Sequence, residues 1–112
     1  MSLIQERLDV KNKTRSNPFN WRGQFTPQFV DYLLESFSKP NDVVADPFVG
    51  SGTVLLECSK KHLEGYGFEI NPAAYAMSKI FSFSNIPIDF RLEIISSVES
   101  KINNIISGYE GL

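Results

Sequence analysis

The sequence predicts an α/β fold, with a short parallel sheet and flanking helices. Helical and strand-like segments alternate in the order helix, strand, helix, strand, helix, helix, as a parallel sheet with crossover helices requires. A glycine loop, Gly50-Ser51-Gly52, joins the first strand to the helix after it, where open α/β sheets bind ligands. An acid, Glu69, stands at the tip of the second strand, 23 residues beyond Asp46.

Each element has a local reason. Residues 1–24 are polar, broken by Asn17-Pro18 and Arg22-Gly23, and they read as a loop-rich segment. Phe19, Trp21 and Phe25 stand out there as apolar anchors onto the body of the domain. Thr26 offers an N-cap hydroxyl and Pro27 a first helical position. Phe29, Val30, Leu33, Leu34 and Phe37 then recur at helical spacing until Ser38-Lys39-Pro40-Asn41 stops the helix. Asp42–Asp46 reads as a short buried parallel strand. Thr53 to His62 forms the next helix, with Lys60, Lys61 and His62 in the last turn, where positive charge suits the dipole. Gly65–Ile70 is a second strand, and Asn71-Pro72 opens a helix to about Phe83. Residues 89–107 form a last helix whose Leu92, Ile95, Val98, Ile102, Ile105 and Ile106 make a stripe. That stripe suits a core or a subunit interface; the opposite face lacks the basic enrichment of a membrane-surface helix.

Composition narrows the function classes. The chain has 112 residues, 42% apolar, with a net charge of −2, a size for one small domain with a modest core. No run reaches the roughly eighteen apolar residues of a membrane span, and nothing resembles a signal peptide. Cys58 is the single cysteine, so a disulfide framework and a cysteine metal cluster are excluded; it suits core packing. The lone His62 makes no metal site. A cytoplasmic location is expected from these features. Charge is uneven: Arg7, Lys11, Lys13, Arg15 and Arg22 against Glu6 and Asp9 leave residues 1–24 at +3 and the remainder at −5. Such a basic segment can touch phosphates, but a solvated, partly frayed arm accounts for it as well. The expected organisation is a basic segment over 1–24 and a ligand-binding domain over 25–112.

The chemistry concentrates in Asp46-Pro47-Phe48-Val49-Gly50-Ser51-Gly52-Thr53. Gly50 and Gly52 permit a tight turn and close approach of a ligand to the backbone. The helix N-terminus beyond them offers N–H groups to an anion, and Asp46 can accept from an ammonium. Glu69 suits the vicinal hydroxyls of a ribose, the role of an acid about 20 residues past such a loop. A P-loop would need Lys-Ser/Thr after its last glycine, whereas Thr53-Val54-Leu55 follows Gly52. Leu55 stands where a dinucleotide fingerprint wants a third glycine or alanine, which disfavours NAD.

The Asp46–Thr53 stretch resembles motif I of S-adenosylmethionine-dependent methyltransferases, in particular DNA methyltransferases that modify exocyclic amino groups (N6-adenine, N4-cytosine). Gly67-Phe68-Glu69-Ile70-Asn71-Pro72 resembles their motif II, and Trp21-Arg22-Gly23-Gln24-Phe25-Thr26-Pro27 their motif X. The likeness covers about residues 15–80. It implies a partial Rossmann-like methyltransferase fold with S-adenosylmethionine as cofactor. Phe25, Thr26 and Pro27 would face the methionine end; Asp46, Phe48, Gly50 and Gly52, with Pro47, Ser51 and Thr53 of the same motif, would line the amino-acid and ribose side. Glu69 would hold the ribose hydroxyls and Ile70 would pack on the adenine.

The family's catalytic motif IV, an Asp, Asn or Ser before Pro-Pro-aromatic, receives a flipped base. It does not occur in the 112 residues. Asn17-Pro18-Phe19, Asp46-Pro47-Phe48 and Asn71-Pro72-Ala73-Ala74-Tyr75 each lack the second proline, so no catalytic residue is assigned. The resemblance therefore implies the cofactor-binding portion of a site-specific DNA methyltransferase, in a restriction-modification or orphan context, inactive by itself. Motif IV would come from a missing segment or a second polypeptide, and the chain is equally readable as a degenerate remnant. DNA would be met through the complete enzyme. Two alternatives stay open: part of a tRNA guanine-N2-type RNA methyltransferase, and a non-catalytic assembly module. Two strands leave unpaired edges, so self-association or a sheet-completing partner is expected.

Overall fold

A computed structural model describes residues 2–15, 19 and 21–111. Its order is α1 (Gln5–Leu8), α2 (Pro27–Phe37), β1 (Val43–Asp46), α3 (Thr53–Lys60), β2 (Glu64–Gly67), α4 (Pro72–Ser78), a 3-10 helix (Lys79–Asn85) and α5 (Ile88–Glu110). The chain divides into two compact units, Met1–Phe81 and Ser82–Leu112.

In the first unit, β1 and β2 form a two-stranded parallel sheet in the register Val43↔Glu64 to Asp46↔Gly67. Parallel strands need a crossover, and α3 supplies it. Val30 and Leu34 of α2 meet Cys58 of α3 in the core, with Phe29, Val44, Val54 and Leu63 packed around them. Contrary to the sequence expectation of a buried strand, β1 alternates. Val44 turns inward, whereas Val43 and, on β2, Tyr66 are more than half exposed. The alternation is that of a sheet packed on one face only.

Helix ends follow the sequence closely, with informative departures. Pro27 starts α2, but the Thr26 hydroxyl makes no cap; its carbonyl accepts from Phe29 and Val30 N–H instead. Ser38 ends the helix, its N–H and hydroxyl both donating to Leu34 O. A left-handed Asn41 and an Asp42 carboxylate that accepts from Lys39 N–H turn the chain into β1. Helix α3 is shorter than expected and stops at Lys60, because His62 is left-handed (φ 55°) and Leu63 N–H returns to Cys58 O. Lys60 pairs with Glu57, and Lys61 reaches Asp31 of α2 at 2.7 Å. Helix α4 also ends early, at Ser78, and tightens into 3-10 geometry.

The frayed arm anticipated at the N-terminus is instead docked. Ile4 N–H donates to the Tyr32 hydroxyl at 2.8 Å, and Arg7 lies over the Tyr32 ring and pairs with Glu35 at 3.0 Å. Gln28 donates to Asn12 O. One acid and one aromatic on α2, Glu35 and Tyr32, thus take up the basic residue that sequence alone left in solvent. Asn17-Pro18, expected to break this segment, lies outside the described residues.

The second unit contains α5, which runs three residues past the expected 89–107 stripe and contains no buried residue. No helix among the described residues is long and apolar enough to cross a membrane.

Two predictions follow from the packing of the first unit. Cys58 is 1% exposed, and burial, then the carboxylates of Glu57 and Asp46, push its thiol up from the ordinary value. The native thiol should therefore resist alkylation at pH 8 and label rapidly only on unfolding; full native labelling at the rate of a free thiol would contradict this packing. Gly52 has φ 99°, and a Cβ there would sit 2.5 Å from the Phe81 ring. Gly52→Ala should cost about 1–3 kcal/mol in urea unfolding, and an unchanged midpoint would refute the contact.

Candidate functional site

The site forms where β1 and β2 end. The two strands extend their pairing into the loops: Phe68 N–H donates to Asp46 O at 2.9 Å, and Val49 N–H donates to Phe68 O at 3.1 Å. The first loop is thereby laid against the second. Gly50 then turns left-handed (φ 54°), and Gly52 N–H closes the turn on Val49 O at 2.9 Å. Helix α3 starts immediately beyond, with Gly52 as its N-cap.

Glu69 ties this loop to the next helix. Its Oε2 accepts from Gly50 N–H at 3.0 Å and its Oε1 from Asn71 N–H at 2.8 Å. Asn71 in turn caps α4, its side-chain oxygen accepting from Ala73 and Ala74 N–H. Asp46 plays a smaller part of the same kind, with Oδ1 accepting from Phe48 N–H at 2.9 Å. Both acids are half-buried and hold backbone N–H groups.

These residues surround a cavity of about 140 Å³. Of the residues singled out from sequence, Phe25, Asp46, Phe48, Gly50, Ser51, Thr53 and Glu69 line it. Ser51 and Thr53 are buried, whereas Phe48 is 86% exposed. Five others are not in the lining. Thr26 and Pro27 begin α2, Gly52 caps α3, Pro47 belongs to the loop, and Ile70 is fully exposed just past Glu69.

The lining also includes Trp21, Gly23, Gln24, Val49 and Val54, which were not assigned to the site from sequence. Trp21 was read as an anchor; its indole Nε1 lies 3.4 Å from where a Gly50 Cβ would stand, so the anchor sits on the glycine loop itself. The signal was present, since Trp21 begins the same Trp-Arg-Gly-Gln-Phe-Thr-Pro stretch as Phe25. The Pro-containing decoys have structural duties. Asp46-Pro47-Phe48 is the loop turn, and Asn71-Pro72 opens α4. Asn17 and Pro18 of the third decoy lie outside the described residues.

Chemically, the arrangement joins a glycine turn, a helix N-terminus, two carboxylates with remaining acceptor capacity, and exposed aromatic and aliphatic side chains. It suits a ligand with an ammonium, hydroxyls and a flat ring.

Comparison with known proteins identifies the family. The family model for DNA methylases of the N6/N4 type matches residues 4–79, which contain every residue of the cavity. The type II methyltransferase M.MjaII of Methanocaldococcus jannaschii is 34% identical over 70 residues, covering 62% of this chain and 13% of that protein. M.XycI of Xanthomonas campestris pv. cyanopsidis is 40% identical over 48 residues, covering 43% of this chain and 16% of that protein. M.BsoBI of Geobacillus stearothermophilus is 27% identical over 105 residues, covering 85% of this chain and 21% of that protein. The matched regions thus span only about an eighth to a fifth of these relatives. No solved structure matches. The family match takes in the docked N-terminal segment, the glycine loop and the Glu69 turn together, and the chain belongs to the N6/N4 DNA methylase family.

Proposed function

We propose that this chain is the S-adenosylmethionine-binding portion of a site-specific DNA methyltransferase. The complete enzyme would transfer methyl to an exocyclic amino group of adenine or cytosine. The reading rests chiefly on the Glu69 carboxylate bound to the glycine loop beside a cavity.

The residues fit the cofactor in kind. Each Glu69 oxygen accepts one backbone N–H, and a carboxylate oxygen has a second lone pair to offer. Glu69 can therefore receive the ribose diol without releasing the loop. Asp46, which lines the cavity, would receive the ammonium. Phe25, with Thr26 and Pro27 behind it at the start of α2, stands on the side of the methionine end, and Trp21 closes over Gly50. Pro47 and Gly52, which are not in the lining of the cavity, would shape the loop that receives the ligand.

Size also enters the argument. About 140 Å³ is less than the roughly 300–1,000 Å³ of a pocket that encloses a whole ligand. The polar end of the cofactor would enter the cavity, with the adenine lying over exposed Ile70 and Phe48. Covering those two apolar side chains is favourable in proportion to the area removed from water. Bound cofactor supplies an electrophilic methyl group on a sulfonium. The chain's own residues orient it, and the base-holding Pro-Pro-aromatic motif would be contributed from outside these 112 residues.

Two experiments test the reading. In calorimetric titration with S-adenosylmethionine, Glu69→Ala should weaken binding by about tenfold or more, because hydrogen bonds to a charged group are lost. Glu69→Gln, which retains an acceptor, should weaken it less. Absence of binding to the folded chain, or equal affinity in all three forms, would overturn the assignment. Incubated with DNA and labelled cofactor, the chain alone should transfer no methyl group, and robust methylation would show that a catalytic element resides within it.

A further inference from the structure

The stripe on α5 has a stricter period than an ordinary amphipathic helix. Ile88, Ile95, Ile102 and Tyr109 recur every seven residues, with Arg91, Val98 and Ile105 three positions after the first three. This is the a/d pattern of a coiled coil, with 3.5 residues per turn instead of 3.6. The outer positions are almost all Ser, Asn, Asp or Glu, with Phe90 the exception. The six apolar seam residues are 45–72% exposed. The seam lies beyond residue 79, where the match to the DNA methylase family model ends.

We propose that α5 is a self-association helix, two copies of the chain pairing antiparallel along this seam. The sequence is self-complementary when reversed about residue 100. Ile95 faces the second copy's Ile105, and Val98 faces its Ile102. At each end Arg91 meets the face of Tyr109, a favourable cation–aromatic contact. Leu92 and Ile106, flanking the seam, lie beside one another across the pair and widen the apolar strip. A parallel pair would instead set Arg91 against Arg91 inside the seam, a like-charge contact shielded from water. The antiparallel pair does bring Glu99 and Lys101 each beside its own copy, but at the solvated rim, where charge contacts count for little.

The charge pattern argues against a membrane as the occupant. Four acids (Asp89, Glu93, Glu99, Glu110) against Arg91 and Lys101 leave α5 acidic, whereas membrane-surface helices are basic on their polar face. Length sets the strength. A helix of 23 residues spans about 35 Å and offers a strip about 10 Å wide, so a pair covers roughly 700 Å². That is the size of a weak, transient contact, so the pairing is reversible and concentration-dependent.

Analytical ultracentrifugation of the full chain over a micromolar concentration series should show a reversible monomer–dimer equilibrium. Ile102→Asp, at the centre of the seam, should weaken dimerisation at least tenfold, while Ser100→Asp on the outer face should leave it unchanged. Retained helicity and an unaltered melt of the first unit would separate this effect from misfolding. A monomeric wild type throughout, a mass of three or more copies, or an Ile102→Asp dimer as tight as wild type would overturn the proposal. Orientation is read by mild oxidation of an equimolar mixture of Ile95→Cys and Ile105→Cys chains, Cys58 being buried. Mixed disulfides should predominate, and predominance of like-with-like disulfides would overturn the antiparallel pairing.

Discussion

The Glu69 carboxylate is the interaction on which the rest of the site depends. One oxygen holds Gly50 in the first loop and the other holds Asn71 at the entrance to α4. Without it, two loops that leave a sheet of only two strands would be joined by little beyond the Phe68 and Val49 backbone bonds. A charge-assisted bond to backbone N–H is stronger than its neutral counterpart, and Glu69 makes two. The same acid is thus a structural link and the proposed receiver of the cofactor's hydroxyls, so the loop is ordered before any ligand arrives. Pre-ordering of this kind lowers the entropy lost on binding.

Much of this organisation was legible in the residues. The elements were readable because their signals are local: Pro27 and Pro72 at helix starts, Ser38-Lys39-Pro40-Asn41 as a stop, Gly50 and Gly52 between strand and helix. The family was readable because Asp46–Thr53 and Gly67–Pro72 each hold several constrained residues at fixed spacing. What escaped the sequence depended on contacts between distant residues. The docking of residues 2–15 needs Tyr32, Glu35 and Gln28 on one face of α2, 14 to 28 positions away in the chain. The partial exposure of β1 depends on how many layers cover the sheet, which the apolar run Val43-Val44-Ala45 does not specify.

The boundaries failed for a related reason. His62 carries no sequence signal for a left-handed backbone, yet that conformation ends α3 and returns the chain to Cys58. Trp21 was visible as an outlier among polar residues, but its neighbour, Gly50, lies 29 positions on. The seam of α5 was legible as a stripe. Its exposure and its placement outside the first unit are structural facts.

Trp21 has one more consequence. It is the only tryptophan in the chain, and its indole rests at the wall of the cavity against Gly50. Emission excited selectively from this fluorophore, free of the four tyrosines, therefore originates beside the glycine loop. The protein carries its own optical reporter, whose colour and intensity register the polarity at the wall of this cavity.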